Sequence, residues 1–297
     1  GVRKDGPLVM LAAHIDEIGF FVSEVTPEGL LRVRPVGGMD PKILPAHEVT
    51  VHARGGDLPG VFLAPDDAAA PPGERGKAPK TEELLVDIGY GHARAAELVR
   101  AGDAATLRAP FAVLNGKYAV GKALDNRASV GVLYRCAQLL RGRRLDMTVV
   151  FAGTSREETG AHGAVAAAAR LRPDLAVVFD VGQAKSPDAD FFGLMSVGRG
   201  PYIAIGPHMH EPLSRTLVRL AEEAGIPHQV TASAGWTSTD ASAIHVVGRG
   251  VPCVLAGVAL RYMHTSAETA RVEDIAGCAE LIAKFLLHID RNREVPA

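Results

Sequence analysis

Two patterns of apolar and polar positions divide the chain and predict two kinds of structure. In the first pattern, runs of consecutive apolar residues alternate with stretches in which apolar residues recur every three or four positions. Consecutive apolar runs are typical of strands buried on both faces of a sheet, and the second spacing is typical of amphipathic helices. The sequence predicts strands at 8–13, 147–152, 174–180, 229–232 and 252–259, and helices at 125–140, 163–170, 212–224 and 273–288.

The second pattern covers residues 20–63, where apolar and polar residues alternate in short segments. Turn signals such as Gly37-Gly38 and Pro59-Gly60 separate these segments, which predicts a small β-barrel or sandwich. We therefore expect an α/β sandwich formed by residues 1–17 and 118–297, interrupted by a β domain at 18–117. The stretch 64–81 is rich in alanine, proline, glycine and charge, so we expect it to be a mobile surface loop.

Composition and charge narrow the class of protein. The chain has 297 residues, of which 47% are hydrophobic and 22% charged, and these values are ordinary for a globular protein. A formal net charge of −2 gives no electrostatic reason to expect nucleic acid or a membrane as a partner. No apolar stretch approaches the roughly 20 residues that span a bilayer, and no signal peptide is visible.

Cysteine usage and the start of the chain lead to two further expectations. Cys136, Cys253 and Cys278 stand in apolar or helical contexts without metal-type spacing. We expect them to be reduced and buried, as in a cytoplasmic protein. Because the chain begins at Gly1 without methionine and reaches a core strand almost at once, we expect that an N-terminal segment precedes it in the whole protein.

Candidate chemistry begins where the predicted strand 147–152 ends. Two adjacent carboxylates, Glu157 and Glu158, follow that strand and precede Gly160 and an alanine-rich helix. Active sites of open α/β sheets form at the carboxyl ends of their strands, so one carboxylate could bind a metal while the other faces the substrate. A loop carrying two solvated surface acids is an equally good interpretation of this stretch alone.

Other histidines and acids also stand where predicted strands end or helices begin. With two imidazoles, several carboxylates and no thiolate, the set suits Zn²⁺, Co²⁺ or Mn²⁺ with an open coordination position. Five ligands and one further acid are what a pair of ions about 3.5–4 Å apart requires, if one carboxylate bridges them. These residues are His14, Asp125, Glu157, Glu158, Asp180 and His264.

Four ordered segments resemble the signatures of the glutamyl/deblocking (tetrahedral) aminopeptidases, a family of dinuclear metallopeptidases. Shorter matches at Gly37-Gly38-Met39-Asp40, Gly198-Arg199-Gly200-Pro201 and Thr239-Asp240-Ala241 extend the resemblance over nearly the whole chain. The four segments are Ala13-His14-Ile15-Asp16-Glu17-Ile18-Gly19-Phe20, Gly121-Lys122-Ala123-Leu124-Asp125-Asn126-Arg127, Glu157-Glu158-Thr159-Gly160 and Arg261-Tyr262-Met263-His264.

The resemblance implies a fold and an assembly. It implies an α/β/α sandwich with a mixed sheet of the zinc-peptidase type. It also implies that the inserted domain is a PDZ-like β-barrel used for dimerisation, with dimers building hollow tetrahedral dodecamers. Departures from the family pattern at Asn126, Arg156, His162 and Leu260 remove no ligand but leave the choice of substrate open.

The resemblance also implies a role for each candidate residue. Two divalent ions per subunit would share Asp125 as a bridging carboxylate, with His14 and Asp180 completing one site and Glu158 and His264 the other. Catalytic roles would fall to Glu157 as the general base and to Asp16, which would fix the tautomer of His14. The implied activity is that of a metalloaminopeptidase, in which Glu157 deprotonates the water that attacks the N-terminal peptide bond.

Two other functions stay open at this point. One is a dinuclear metal-dependent deacylase or other amidohydrolase, which a comparison of free-amine peptides with N-acyl amino acids would reveal. The other is a non-catalytic oligomeric scaffold, which would not need to hold five costly buried polar groups. A last feature, the His208-x-His210 pair beside a Gly-Pro turn, we interpret as a solvated loop or subunit contact rather than a metal site.

Overall fold

The computed structural model describes residues 6–63, 77, 79–80, 83–186 and 194–296 of the chain. Most of the predicted loop at 64–81 lies outside these residues. The described residues form two compact units. One comprises those within 1–16, 112–263 and 268–297, and the other comprises those within 17–111 and 264–267.

The described residues contain fifteen strands and six α-helices. The strands are β1 (Leu8–His14), β2 (Gly19–Val25), β3 (Leu31–Val36), β4 (Glu48–Ala53), β5 (Gly56–Phe62), β6 (Leu85–Asp87), β7 (Ala104–Leu107), β8 (Ala112–Leu114), β9 (Tyr118–Gly121), β10 (Thr148–Thr154), β11 (Leu175–Gln183), β12 (Tyr202–Ile205), β13 (Gln229–Ala232), β14 (Cys253–Arg261) and β15 (Glu268–Arg271). The helices are α1 (His92–Leu98), α2 (Leu124–Leu140), α3 (His162–Leu171), α4 (Glu211–Glu223), α5 (Asp240–Ile244) and α6 (Val272–Asn292).

The first unit is built on a mixed sheet of nine strands in the order β10-β1-β11-β14-β15-β9-β8, with β12 pairing β14 and β13 pairing β12. Strands β10, β1, β11 and β14 run parallel, and β15, β9 and β8 continue the sheet in antiparallel pairs. All the carboxyl ends of the parallel strands therefore lie at one edge of the sheet. His14 at the end of β1, Glu157 and Glu158 after β10, and Asp180 in β11 are therefore brought to the same edge.

Apolar side chains of the sheet pack on both of its faces. Val9 and Leu11 of β1 join a core cluster with residues of α2, α4 and α6. Met10 and Ala12 of the same strand join a second cluster with residues of α3 and α5. Helices thus cover both faces, which explains the continuous apolar runs of the parallel strands and confirms the predicted α/β sandwich.

The second unit is a closed antiparallel barrel in the order β2-β3-β6-β5-β4-β7. Inward apolar residues alternate with outward polar ones along its strands, and Phe20 and Phe62 meet edge to face with ring centroids 4.9 Å apart. Closure leaves no strand edge unpaired, and Ala95 of α1 packs into the core cluster of the barrel. The predicted inserted barrel is confirmed.

Cys136, Cys253 and Cys278 are buried and free, as expected. None of the helices in the described ranges has the length and hydropathy that crossing a membrane requires.

Candidate metal centre

The centre of the candidate site is His14, the last residue of β1. Its strand lies between β10 and β11, and its imidazole is only 2% exposed. The Nε2 atom lies 3.1 Å from Oδ1 of Asp125, and 3.8 Å from both Oε2 of Glu157 and Oδ1 of Asp180. One imidazole nitrogen is therefore surrounded by three carboxylates that come from distant parts of the sequence.

Asp180 and Asp125 reach this point from β11 and from the start of α2. Asp125 and Asn126 have non-helical dihedral angles, so the first turn of α2 is kinked where Asp125 meets His14. The Asn126 amide donates a hydrogen bond to the carbonyl of Phe179 at 2.9 Å, which ties this turn to the residue preceding Asp180. Asn126, one of the departures from the family pattern, thus helps to hold two candidate ligands together.

The loop that carries Glu157 and Glu158 is held by Asp16. The Asp16 carboxylate accepts hydrogen bonds from the backbone N–H groups of Glu157 at 3.2 Å and Glu158 at 3.3 Å. The Nδ1 atom of His14 lies 3.2 Å from the Asp16 carbonyl and 3.6 Å from its carboxylate. If Nδ1 carries the proton toward these oxygens, the lone pair of Nε2 points to the three carboxylates, as a metal ligand requires.

Electrostatics in the site shows a surplus of buried negative charge. Burial lowers the pKa of His14, but hydrogen bonds with Asp125 and Asp16 and the charge of Asp180 together raise that pKa to about 12. Burial raises the pKa of Glu157 to about 8 against the opposing effect of His14, and burial with the charge of Asp125 raises the pKa of Asp180 well above its usual value. A cation bound at this point would offset the repulsion between these crowded acids.

A divalent cation fits this donor set. His14, Asp125 and Asp180 are all buried and offer ligand atoms within 4.8 Å of one another. His14 and the half-buried Glu157 and Glu158 also offer ligand atoms within 4.8 Å of one another. Imidazole nitrogen with carboxylate oxygen suits Zn²⁺, Co²⁺ or Mn²⁺, and binding of such a cation requires neutral imidazole and ionised carboxylates. The chain therefore contains acidic and histidine groups that can bind metal.

His264, the remaining predicted ligand, belongs with residues 264–267 to the barrel unit. Its imidazole lies beside Gly38 of the same unit. A Cβ atom at position 38 would come within 3.1 Å of Nδ1 of His264, closer than an ordinary contact. The glycine of the Gly37-Gly38 turn therefore leaves room for the ring of His264.

Two further buried acids near the site, Glu268 and Asp240, were not predicted as site residues from the sequence. Glu268 of β15 is 1% exposed and accepts a hydrogen bond from the backbone N–H of Asp125 at 2.9 Å. Asp240, at the start of α5, accepts one from the hydroxyl of Thr154 at 2.5 Å, and burial raises its pKa to about 6. The Thr239-Asp240-Ala241 match was a signal for Asp240. The sequence carried no signal for Glu268, because its approach to Asp125 depends on the pairing of β15 with β9.

Comparisons with known proteins identify the family of the chain. The chain matches the M42 glutamyl aminopeptidase family over residues 1–281. It is 29% identical to the lysyl aminopeptidase of Pyrococcus furiosus over 288 residues, which are 96% of this chain and 82% of that protein.

Solved structures of similar proteins show the same fold. The TET aminopeptidase of a marine sediment Thaumarchaeota archaeon superposes with a TM-score of 0.92 at 29% identity, covering 98% of this chain and 84% of the other. The Pyrococcus horikoshii TET1 peptidase superposes with a TM-score of 0.82 at 31% identity, covering 95% and 84%.

These matches confirm the family that the four sequence segments predicted, and they confirm that the protein is an enzyme that hydrolyses peptides. The chain belongs to the M42 glutamyl aminopeptidase family of metal-dependent peptide hydrolases.

Proposed function

We propose that the protein removes N-terminal residues from peptides at a centre of two divalent ions per chain. The observation that carries the proposal is the buried group of His14, Asp125 and Asp180, with ligand atoms within 4.8 Å of one another and Glu157 close by. Asp125 would bridge the two ions, with His14 and Asp180 completing one site. Zn²⁺, Co²⁺ and Mn²⁺ all suit these ligands.

Glu158 and His264 would complete the second site. Glu158 follows Glu157 in the loop that Asp16 holds, and its carboxylate offers an oxygen within 4.8 Å of a ring nitrogen of His14. His264 follows three residues after Arg261, the last residue of β14, whose strand pairs directly with that of Asp180. Three residues of chain span at most about 11 Å, and this short connection is what would allow His264 to serve the second site.

Glu157 would act as the general base and then as the general acid. When bound, divalent ions supply Lewis acidity toward the scissile carbonyl. The Glu157 carboxylate takes the proton of the attacking water and passes it to the nitrogen of the leaving amine. Its neighbour His14 and the Asp16 hydrogen bonds to the loop fix where that carboxylate stands. Asp16 thereby positions both His14 and Glu157 and need not touch the substrate.

We propose further that the chain forms a homo-oligomer. The TET1 peptidase of Pyrococcus horikoshii can assemble into a tetrahedron or a large octahedral shell. The inserted barrel, formed by β2 to β7, would supply the dimer contact from which such assemblies grow. Preference for the N-terminal residue is a separate question, since the relative from Pyrococcus furiosus is a lysyl enzyme and the family is glutamyl.

A pair of peptides that differ only at the amino terminus tests the function. Metal-reconstituted protein is incubated with a short peptide carrying a free amine and with the same peptide N-acetylated. An aminopeptidase releases the first residue from the free peptide and leaves the acetylated one intact. Release of acetate from the acetylated peptide, with no first residue released from the free peptide, would support the deacylase and contradict the proposal. Panels with acidic, basic and apolar first residues then give the preference.

A further inference from the structure

A second cluster of histidines lies at the opposite ends of the strands from the candidate metal centre. A cavity of about 450 Å³ opens beside Asp174 and Cys253, which stand at the amino ends of β11 and β14. His208, His210 and His245 contribute to its walls. The metal centre lies at the carboxyl end of the parallel strand β1, so these three imidazoles take no part in the proposed hydrolysis.

His208 is held in one tautomer by the backbone. Its Nδ1 atom lies 2.7 Å from the carbonyl oxygen of Gly235, and only a protonated nitrogen can donate to that acceptor. The neutral ring therefore carries its lone pair on Nε2. A backbone carbonyl on one ring nitrogen and a free lone pair on the other is the arrangement found in metal-binding histidines.

His245 lies directly against His208. The two ring centroids are 4.6 Å apart and the rings are inclined at 46°. Among the described residues, Nδ1 of His245 is a buried nitrogen without a hydrogen-bond partner. A buried polar atom left without a partner costs free energy, and a ligand that engages it recovers that cost.

The separation of the rings matches what two imidazoles on one ion would show. A histidine nitrogen binds zinc at about 2.0–2.1 Å, which puts the ring centroid about 3.2 Å from the ion. Two such rings at angles of about 90–110° have centroids about 4.5–5.2 Å apart for that bond length. The observed 4.6 Å lies within this interval.

We propose that His208 and His245 form an accessory site for one borderline divalent cation, such as Zn²⁺ or Cu²⁺. Solvent in the cavity completes the coordination. His210 is not a ligand, because its Nδ1 accepts the backbone N–H of Leu213 at 3.4 Å and caps α4. The pairing is thus His208 with His245 across the fold, and differs from the neighbouring His-x-His pair that the sequence suggests.

Trp236 provides a reporter for this site. It is the single tryptophan of the chain, it is 65% exposed, and its ring centroid lies 6.3 Å from that of His208. Cu²⁺ quenches tryptophan emission at short range. Titration of the full chain with Cu²⁺ should therefore quench Trp236 saturably with one ion, and Zn²⁺, which does not quench, should restore the emission by competition.

Variants separate this site from the catalytic one. His208→Gln and His245→Ala should each weaken the saturable quenching at least about tenfold, since each removes one of two nitrogen ligands. His52→Ala, which removes a histidine of the barrel unit, and Asp125→Ala, which disables the proposed catalytic centre, should leave it unchanged. Thermal unfolding of each variant confirms that it is folded.

Two results would overturn the proposal. One is quenching that grows linearly with Cu²⁺ in the wild type without saturation, since that is collisional quenching of an exposed ring. The other is saturable quenching that both histidine variants retain, or that Asp125→Ala abolishes, because the ion would then be bound elsewhere.

Discussion

Glu157 and Glu158 are adjacent residues of the same type, yet the account gives them different chemistry, and this difference can be measured. Glu157 lies 3.8 Å from Nε2 of His14 with its side chain 12% exposed. Glutamine keeps the size of glutamate but cannot take a proton and is a poor metal ligand. Both single variants keep the backbone N–H groups that donate hydrogen bonds to the Asp16 carboxylate, so the loop should keep its position.

The expected magnitudes differ accordingly. Glu157→Gln should keep its metal and its KM but lose the rate due to general-base catalysis, roughly 10²–10⁴-fold in kcat. At 1.36 kcal/mol per factor of ten, this corresponds to about 2.7–5.4 kcal/mol of transition-state stabilisation. A loss in kcat with little change in KM marks an interaction made only in the transition state. Glu158→Gln should bind one ion more weakly, and excess metal should restore part of its activity.

The assay is metal content by elemental analysis together with kcat for both variants, with and without added Zn²⁺ or Co²⁺. If Glu157→Gln loses metal and is rescued by it while Glu158→Gln is not, the two roles are reversed. If neither substitution changes turnover, the mechanism proposed here is wrong.

Three further predictions concern the supporting structure. Asp16→Asn should reduce metal affinity or kcat/KM by about 10–100-fold, because Asp16 orients the ligand His14. The control is Asp57→Asn, which changes an exposed acid that also contacts a histidine and should leave metal affinity and kcat/KM unchanged. Gly257→Ala should lower the free energy of unfolding by about 1–3 kcal/mol, because the added methyl group would overlap the Asp180 carbonyl. Gly131→Ala in α2 meets only an ordinary contact and should raise the free energy of unfolding by about 0.5–1 kcal/mol. Urea unfolding measures both changes. Light scattering of the chain at working concentration should give an oligomer, and a monomer would contradict the proposed assembly.

Long apolar runs made the elements of the sheet predictable. The strand predicted at 174–180 is Leu175–Gln183, and the strand predicted at 252–259 is Cys253–Arg261. Burial on both faces produces such runs, which stand out from their surroundings. Strands of four residues have too few positions to show a period dependably: β13 at 229–232 was predicted with the bounds that the structure shows, whereas β12 and β15 were not predicted.

The candidate site was predictable in its members and not in their geometry. Residue type and position, at strand ends for His14 and Asp180 and at a helix start for Asp125, pointed to these three residues, and the family resemblance gave them roles. The contact of Asp16 with two backbone N–H groups could not be predicted, because it depends on how the loop after β10 folds back toward β1. Glu268 remained unnoticed for a similar reason, since its approach to Asp125 follows from pairing of β15 with β9.

The most direct test of the central claim is the number of metal ions per chain in the wild type and in Asp125→Ala. Both proteins are stripped with a chelator, reloaded with Zn²⁺ or Co²⁺, passed over a desalting column and analysed for metal and protein. His208→Gln in both backgrounds removes the accessory ion from the count. With His208→Gln present in both, the account predicts two tightly held ions in the protein that keeps Asp125 and none in the protein with Asp125→Ala, because one bridging carboxylate serves both sites. Two ions retained by Asp125→Ala would contradict it.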